Sequence, residues 1–282
     1  MTALLLDVRD LRVSFPMANG MTEAVRGVSF SVAPGEAIGI VGESGSGKSV
    51  SALAVMRLVA QPGRITGGEI LFAGRDLAAF DEKAMRTVRG RHISMVFQDP
   101  LSSLNPAFTI GQQLVDTVRA HRPAATREAA RDRAVEVLEL VGITEAGRRL
   151  SSYPHEFSGG MRQRVMIALA IACEPKLLIA DEPTTALDVT IQAQVVTLLW
   201  QLREKLGLSV LFISHNLDLV AEICDRVYVM HTGNVVEHGD VEDIFLRPQH
   251  SYTRMLQNCI PRIEGVEPWS AAALSSAGEV AP

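Results

Sequence analysis

A continuous apolar run, Ala37-Ile38-Gly39-Ile40-Val41, opens directly into Gly42-Glu43-Ser44-Gly45-Ser46-Gly47-Lys48-Ser49. A stretch rich in Ala, Leu, Val and Met follows at 49–60 and predicts a helix. Apolar residues without alternation predict a strand buried on both faces, as in parallel sheets covered by helices. A GxxxxGK[ST] loop between such a strand and a helix is a phosphate cradle. Gly42, Gly45 and Gly47 admit backbone conformations that point successive N–H groups inward, with Glu43, Ser44 and Ser46 completing the loop. The start of the helix adds its positive dipole end. Lys48 is expected at the β- and γ-phosphate oxygens of a nucleoside triphosphate, and the Ser49 hydroxyl on its Mg²⁺. A chance glycine turn would not bring strand, helix and all the fixed residues into agreement.

Lys176-Leu177-Leu178-Ile179-Ala180-Asp181-Glu182 supplies a second anchor. A buried strand ending in a carboxylate sets Asp181 beside the phosphates, where it holds Mg²⁺. Glu182, one residue further, is placed as general base for an attacking water. Read alone, the segment is a strand and an acidic turn; the glycine loop decides against that reading. Gln98, in Met95-Val96-Phe97-Gln98-Asp99-Pro100, offers a neutral amide able to touch both Mg²⁺ and the water and to sense the γ-phosphate. His215 follows the strand expected at 209–213 and could orient the water at the γ-phosphate, although a lone His at a strand end is more often structural. Phe15 offers a face for adenine stacking, against the alternative of a core aromatic on a strand.

Residues 4–41 read as β-structure. Leu11, Val13 and Phe15 alternate with polar neighbours, as do Val28, Phe30 and Val32, and Pro34-Gly35 turns the chain. Between about 96 and 157 the pattern becomes helical. It is clearest at 127–141, where Ala134, Val137, Leu138 and Val141 form one stripe and Gly142 stops it. These features predict a helical subdomain inserted into an α/β core. The core resumes with strand 176–180, helix 191–205, strand 209–213 and a hairpin of 227–230 with 235–236, turning at Thr232-Gly233-Asn234. No internal repeat appears, so one nucleotide-binding unit is expected at 4–262, and the tail at 263–282 is expected to be poorly ordered.

The formal net charge of −5 argues against a general nucleic-acid binder. Cys173, Cys224 and Cys259 are scattered, with no CxxC pair, and are expected to be packing residues in a reducing compartment. The first residues carry acidic groups where a signal peptide would be basic. The longest apolar stretch, 165–173, is cut by Glu174-Pro175, whereas a membrane span needs about 20 residues. A cytoplasmic location is expected, with any membrane contact running through a partner.

Phe157-Ser158-Gly159-Gly160-Met161-Arg162-Gln163 has no obvious use inside one subunit. The glycine loop, Gln98, Ser158-Gly159-Gly160, Asp181-Glu182, Ala186-Leu187-Asp188 and His215 follow one another in an order that resembles the ATP-binding subunits of ATP-binding-cassette transporters. The likeness covers roughly 4–262. It implies a RecA-like P-loop NTPase core with an N-terminal antiparallel β subdomain and an inserted α-helical subdomain. It also implies head-to-tail dimers that trap ATP, with Ser158, Gly159 and Gly160 serving the γ-phosphate on the partner's loop and Asp188 across the same interface. Ser158 precedes a helix whose N-terminus is itself an anion site, and a plain helix cap is the alternative.

The loop, residues 93–106 (ISMVFQDPLSSLNP) and residues 153–167 (YPHEFSGGMRQRVMI) are similar to the dipeptide/oligopeptide importer group, to which nickel and glutathione importers belong. His250-Ser251-Tyr252-Thr253 is similar to the group's tail motif, with Ser251 where proline is common. This narrower resemblance implies a second, different ATPase subunit, two transmembrane permease subunits and an extracytoplasmic solute-binding protein. The chain would then sit at the cytoplasmic face of the inner membrane, with peptide as cargo and nickel or another small solute as the alternative. Met161 stands where most cassettes have Gln, and Asn216 where an acidic residue is usual. The cysteine cluster of longer members is missing before Pro282, so no iron–sulfur site is expected.

Three rivals differ in class. A cassette protein of DNA repair or translation would carry a long coiled-coil insertion or two cassettes. A kinase or GTPase sharing the loop would leave Ser158-Gly159-Gly160 unexplained, and a GTPase would need a guanine-reading motif. A non-catalytic module would be expected to lose Glu182 or His215, and both are present.

Overall fold

In a computed structural model of the chain, residues 3–17, 20–99, 103–184 and 188–258 are described. β1 (Leu6–Met17) and β2 (Gly20–Val32) pair antiparallel, and β4 (Arg64–Phe72) and β5 (Arg75–Asp76) complete a sheet ordered β2-β1-β4-β5. A second sheet is ordered β10-β9-β3-β8-β7-β6. Its strands are β3 (Ala37–Val41), β6 (Ile93–Val96), β7 (Leu177–Asp181), β8 (Ser209–Ser214), β9 (Arg226–His231) and β10 (Asn234–Asp240). All neighbours in it are parallel except β9 and β10, which form the expected hairpin. Thr232 and Gly233 at its tip take φ of 47° and 84°, the positive pair that a tight hairpin turn requires.

The parallel strands are buried on both faces, and their side chains divide between two cores. Ile38, Ile40, Leu177, Ile179, Leu211 and Ile213 face the antiparallel sheet and α1 (Lys48–Val55). Ala37, Val41, Leu178, Ala180, Val210 and Phe212 face the other way, towards α6 (Gly159–Ile171), α7 (Val189–Leu206) and α8 (Leu217–Ile223). An apolar layer on each side explains why these strands carry no polar alternation.

Gly39 lies fully inside this packing. A Cβ there would fall 2.2 Å from Val220 Cγ1 and 3.3 Å from Cys224 Sγ, so the missing side chain lets α8 seat on the strand. Cys173 and Cys224 are both buried and free.

Between β6 and α6 come α3 (Ile110–His121), α4 (Arg127–Leu140) and α5 (Ala146–Arg149). Thr109 and Thr126 cap the first two, accepting the Gln112 and Ala129 amides at 3.2 and 3.1 Å. The expected stripe of α4 is buried at Ala134, Val137 and Leu138, and Val141 caps its end. α6 packs against α3 and α4 on one side and against β6 and α7 on the other. The helices therefore share one core with a face of the parallel sheet.

α2 (Glu82–Val88), α9 (Val241–Leu246) and α10 (Ser251–Asn258) complete the described elements. Among the described residues no helix is long and apolar enough to cross a membrane.

Two features depart from the sequence expectations. The helix expected over 49–60 stops at Val55. Arg57 turns left-handed (φ 53°), and its Nη1 donates to the Leu77, Ala78 and Phe80 carbonyls, each at 2.8 Å. Arg89 Nε and Nη2 donate to the Met56 and Arg57 carbonyls at 2.8 and 3.1 Å, so this one guanidinium replaces the next helical turn as donor. β4 and β5, which take the antiparallel sheet from two strands to four, have no counterpart in the sequence expectations. The tail at 263–282, Cys259, Pro100 and Ala186-Leu187 lie outside the described residues.

The contact at Gly39 is testable. Gly39→Ala should lower stability by about 1–3 kcal/mol through overpacking against Val220, read as a lower denaturant midpoint. An unchanged midpoint would show that α8 has room to move.

Candidate active site

β3 delivers the chain into the glycine loop, and close backbone contacts shape that loop. A Cβ at Gly42 would lie 2.1 Å from the Met230 carbonyl oxygen, and one at Gly47 would lie 2.6 Å from that of Ala24. Gly47 also takes φ 101°, which side-chain-bearing residues rarely adopt. The first-turn amides of α1, from Lys48 onward, have no carbonyl four residues back within the helix and face its N-terminal end. Ser46 Oγ is buried with no hydrogen-bond partner, an orphaned polar group inside the loop.

Lys48 is only 3% exposed, and its Nζ donates to the Gly42 and Glu43 carbonyls at 2.8 and 2.9 Å. Burial draws the ammonium below its usual pKa, while Glu182, Asp181 and Glu43 oppose that shift. Ser49 Oγ donates to Asp181 Oδ1 at 2.7 Å. Burial raises the Asp181 carboxyl above the usual range; the Ser49 bond and Lys48 pull it down, and Glu182 pushes it further up. A hydroxyl and a carboxylate in contact are the hard oxygen donors that Mg²⁺ prefers.

Glu182 takes φ 44°, uncommon for a residue with a side chain, and its N–H donates to the Ile213 carbonyl at 2.9 Å. That bond continues the β7–β8 pairing one residue beyond Asp181. The Glu182 carboxylate is then met from three directions. Gln98 Nε2 donates to it at 3.1 Å, His215 Nδ1 stands 3.5 Å away and Lys48 Nζ 4.0 Å away. The structure thus brings together residues that are far apart in the chain.

Glu43, Ser44, Gly45, Gly47, Lys48, Ser49, Gln98, Glu182 and His215 line one cavity of ≈ 860 Å³. Phe15 is not brought to this cavity. It is half-buried on β1 with its ring over Gly63, where a Cβ would come 2.3 Å from Phe15 Cε1.

Ser158, Gly159, Gly160 and Asp188 do not line the cavity of their own subunit. Ser158 Oγ accepts the Met161 amide at 3.3 Å as the cap of α6, and Ser158 and Gly159 are exposed. Asp188 caps α7, its Oδ1 accepting the Ile191 amide at 3.0 Å. The two caps are joined through Gly160, where a Cβ would lie 2.9 Å from Ile191 Cγ2.

Ala24, Asn216, Leu217, Asp218 and Leu256 also line the cavity. Asn216 Oδ1 accepts the Asp218 amide at 2.9 Å and caps α8, a task a neutral amide does as well as a carboxylate. Leu256 comes from α10, just beyond the His250–Thr253 motif, which was the one sequence signal pointing to it. Ala24 and Leu217 carry no chemical signal in the sequence.

Residues 25–185 match the family model described as "ABC transporter", and residues 236–278 match "Oligopeptide/dipeptide transporter, C-terminal region". The probable peptide ABC transporter ATP-binding protein y4tR of Sinorhizobium fredii is 53% identical over 259 residues, covering 92% of this chain and 77% of that protein. The oligopeptide transport ATP-binding protein OppD of Bacillus subtilis is 52% identical over 261 residues, covering 92% of this chain and 73% of the relative. Among solved structures, a dimeric post-hydrolysis state of the ATP-binding cassette MJ0796 bound to ADP and Pi superposes with a TM-score of 0.74 at 27% identity. That match covers 84% of this chain and 98% of the other.

The raised Asp181 pKa carries a signed consequence. The fold favours the protonated carboxyl, so Asp181 costs stability as pH rises through the ordinary carboxylate range towards its raised native value. Asp181→Asn keeps a neutral acceptor for Ser49. At pH 7 the ligand-free variant should unfold at a higher denaturant midpoint than wild type, and the gap should close as pH falls below the carboxylate range. Paired melts at pH 7 and at acid pH measure this.

Proposed function

The chain belongs to the ABC transporter family, and from that membership we propose that it is the ATP-hydrolysing subunit of an importer for dipeptides or oligopeptides. The observation that carries the catalytic reading is the convergence of Gln98, His215 and Lys48 on the Glu182 carboxylate, beside the Ser49–Asp181 pair. The cargo reading rests on the names of the relatives and on the match of residues 236–278 to the oligopeptide/dipeptide C-terminal region.

The loop amides and the start of α1 hold the triphosphate, and Lys48 exchanges its carbonyl partners for the β- and γ-phosphate oxygens. Ser49, Asp181 and Gln98 would hold Mg²⁺, which when bound neutralises charge on the phosphate oxygens. The Ser49–Asp181 contact and the raised Asp181 pKa fit a cation at that position. Glu182 accepts a proton from water as the water oxygen bonds to the γ-phosphorus. The bond to the β-bridging oxygen breaks, and ADP and phosphate leave. Gln98 and His215 hold the water and the γ-phosphate in line, so the work is positioning and charge stabilisation.

Ser158, Gly159, Gly160 and Asp188 do not line their own cavity, which supports a head-to-tail arrangement in which they close a second cassette's site. The full assembly would comprise this chain, a different ATPase subunit, two transmembrane permease subunits and an extracytoplasmic solute-binding protein. It would place residues 4–262 at the cytoplasmic face of the inner membrane as the cassette, with the helical insertion at about 96–157 and 263–282 as a tail.

Glu182→Gln should bind ATP within about threefold of wild type, lose about 10²–10⁴-fold in hydrolysis and accumulate as an ATP-bound dimer in sedimentation. Turnover at the wild-type rate would remove Glu182 as the base. Gly160→Val pushes on Ile191 outside the subunit's own cavity. It should cut hydrolysis about tenfold or more while leaving ATP affinity within about twofold. Equal losses in both would place Gly160 in its own subunit's site.

A further inference from the structure

The C-terminal helix α10 lies against the phosphate loop. The Tyr252 hydroxyl accepts the Glu43 N–H at 2.9 Å, and Lys48 Nζ donates to the Glu43 carbonyl, also at 2.9 Å. Glu43 is thus gripped on both of its peptide groups, once by the C-terminal helix and once by the phosphate-binding lysine. Tyr252 is 6% exposed, with its ring against His231 at a centroid separation of 4.0 Å. His231 follows Met230, whose carbonyl oxygen packs against Gly42, the residue just before Glu43. One turn along the helix, Leu256 forms part of the cavity wall.

The helix is tied down firmly enough to set a position. Glu237 of β10 accepts the Gln249 and His250 amides at 2.6 and 3.0 Å, fixing the entry to α10. Gln257 Nε2 donates to the Ile244 and Phe245 carbonyls at 2.9 Å each, fixing its far end. An anchored helix that sets a hydroxyl on a loop amide and an apolar side chain on the cavity wall is built to shape the loop.

We propose that Tyr252 is a positioning residue for the phosphate loop, and that α10 is a structural part of the nucleotide site. The inference rests on the ATP-site reading of the loop. With the Glu43 amide held by Tyr252, the backbone of the loop is arranged before nucleotide arrives. The phosphates are held in ground and transition states alike, so losing this order weakens ATP binding without slowing the chemical step.

The test uses the full chain with ATP and Mg²⁺. Tyr252→Phe keeps the ring on His231 and removes only the hydroxyl. The Kd from calorimetric titration and the KM should each rise about three- to tenfold, with kcat within about twofold. Leu256→Ala should shift Kd in the same direction. Wild-type Kd and KM in Tyr252→Phe would overturn the proposal, as would a fall in kcat at unchanged KM. A second measurement needs no variant: the wild-type Glu43 amide should exchange with solvent slowly, and exchange at the rate of exposed loops overturns the proposal. Lys48→Ala separates the two readings. If it keeps wild-type ATP affinity, the ATP-site reading itself fails. If it loses affinity while Tyr252→Phe does not, only the positioning role falls.

Discussion

The site depends on the parallel pairing of β3 with β8 and β9, and of β8 with β7 and β7 with β6. Parallel strands all end on the same edge, so each sends its following residues to one crevice. Val41 leads into the loop, Asp181 closes β7 ahead of Glu182, Ser214 precedes His215, and Val96 stands two residues before Gln98. Four segments spread from 42 to 215 therefore reach one cavity without any long connection being specially shaped for it. The antiparallel sheet with α1 can cover one face and helices the other only because the strands are apolar on both faces, and that burial fixes the register that aligns the four ends.

The same crevice holds unfavourable electrostatics. Lys48 and Asp181 are both buried, and burial shifts both pKa values towards the neutral form. Glu182 adds an uncommon backbone conformation. Strain and desolvation gathered at one place, in an otherwise apolar core, mark where the fold yields stability to chemistry.

Much of this was legible in the sequence because each signal was local. A glycine loop between a buried strand and a helix, or a strand ending in paired acids, is complete within about ten residues. β4 was not legible because Gly67-Gly68 interrupts its pattern. Gly68 sits where β1 bulges, and a Cβ there would strike the Asp10 carbonyl at 2.5 Å, a requirement visible only once the strands are paired. The early end of α1 escaped for a similar reason. The guanidinium that meets the carbonyls just past its end belongs to Arg89, 33 residues beyond Met56. The cavity wall at Leu256 depends on α10 returning to the loop, and no periodicity in the C-terminal segment encodes that return.

The hold on Glu182 has a consequence for economy. In this arrangement the carboxylate is approached by an amide, an imidazole and an ammonium together, so an incoming water meets an occupied group. With Glu182 as the base, all three partners are also the groups proposed to meet the γ-phosphate and its metal, so nucleotide would draw them off as it makes room for the water. Loading the site and uncovering its base would then be a single event.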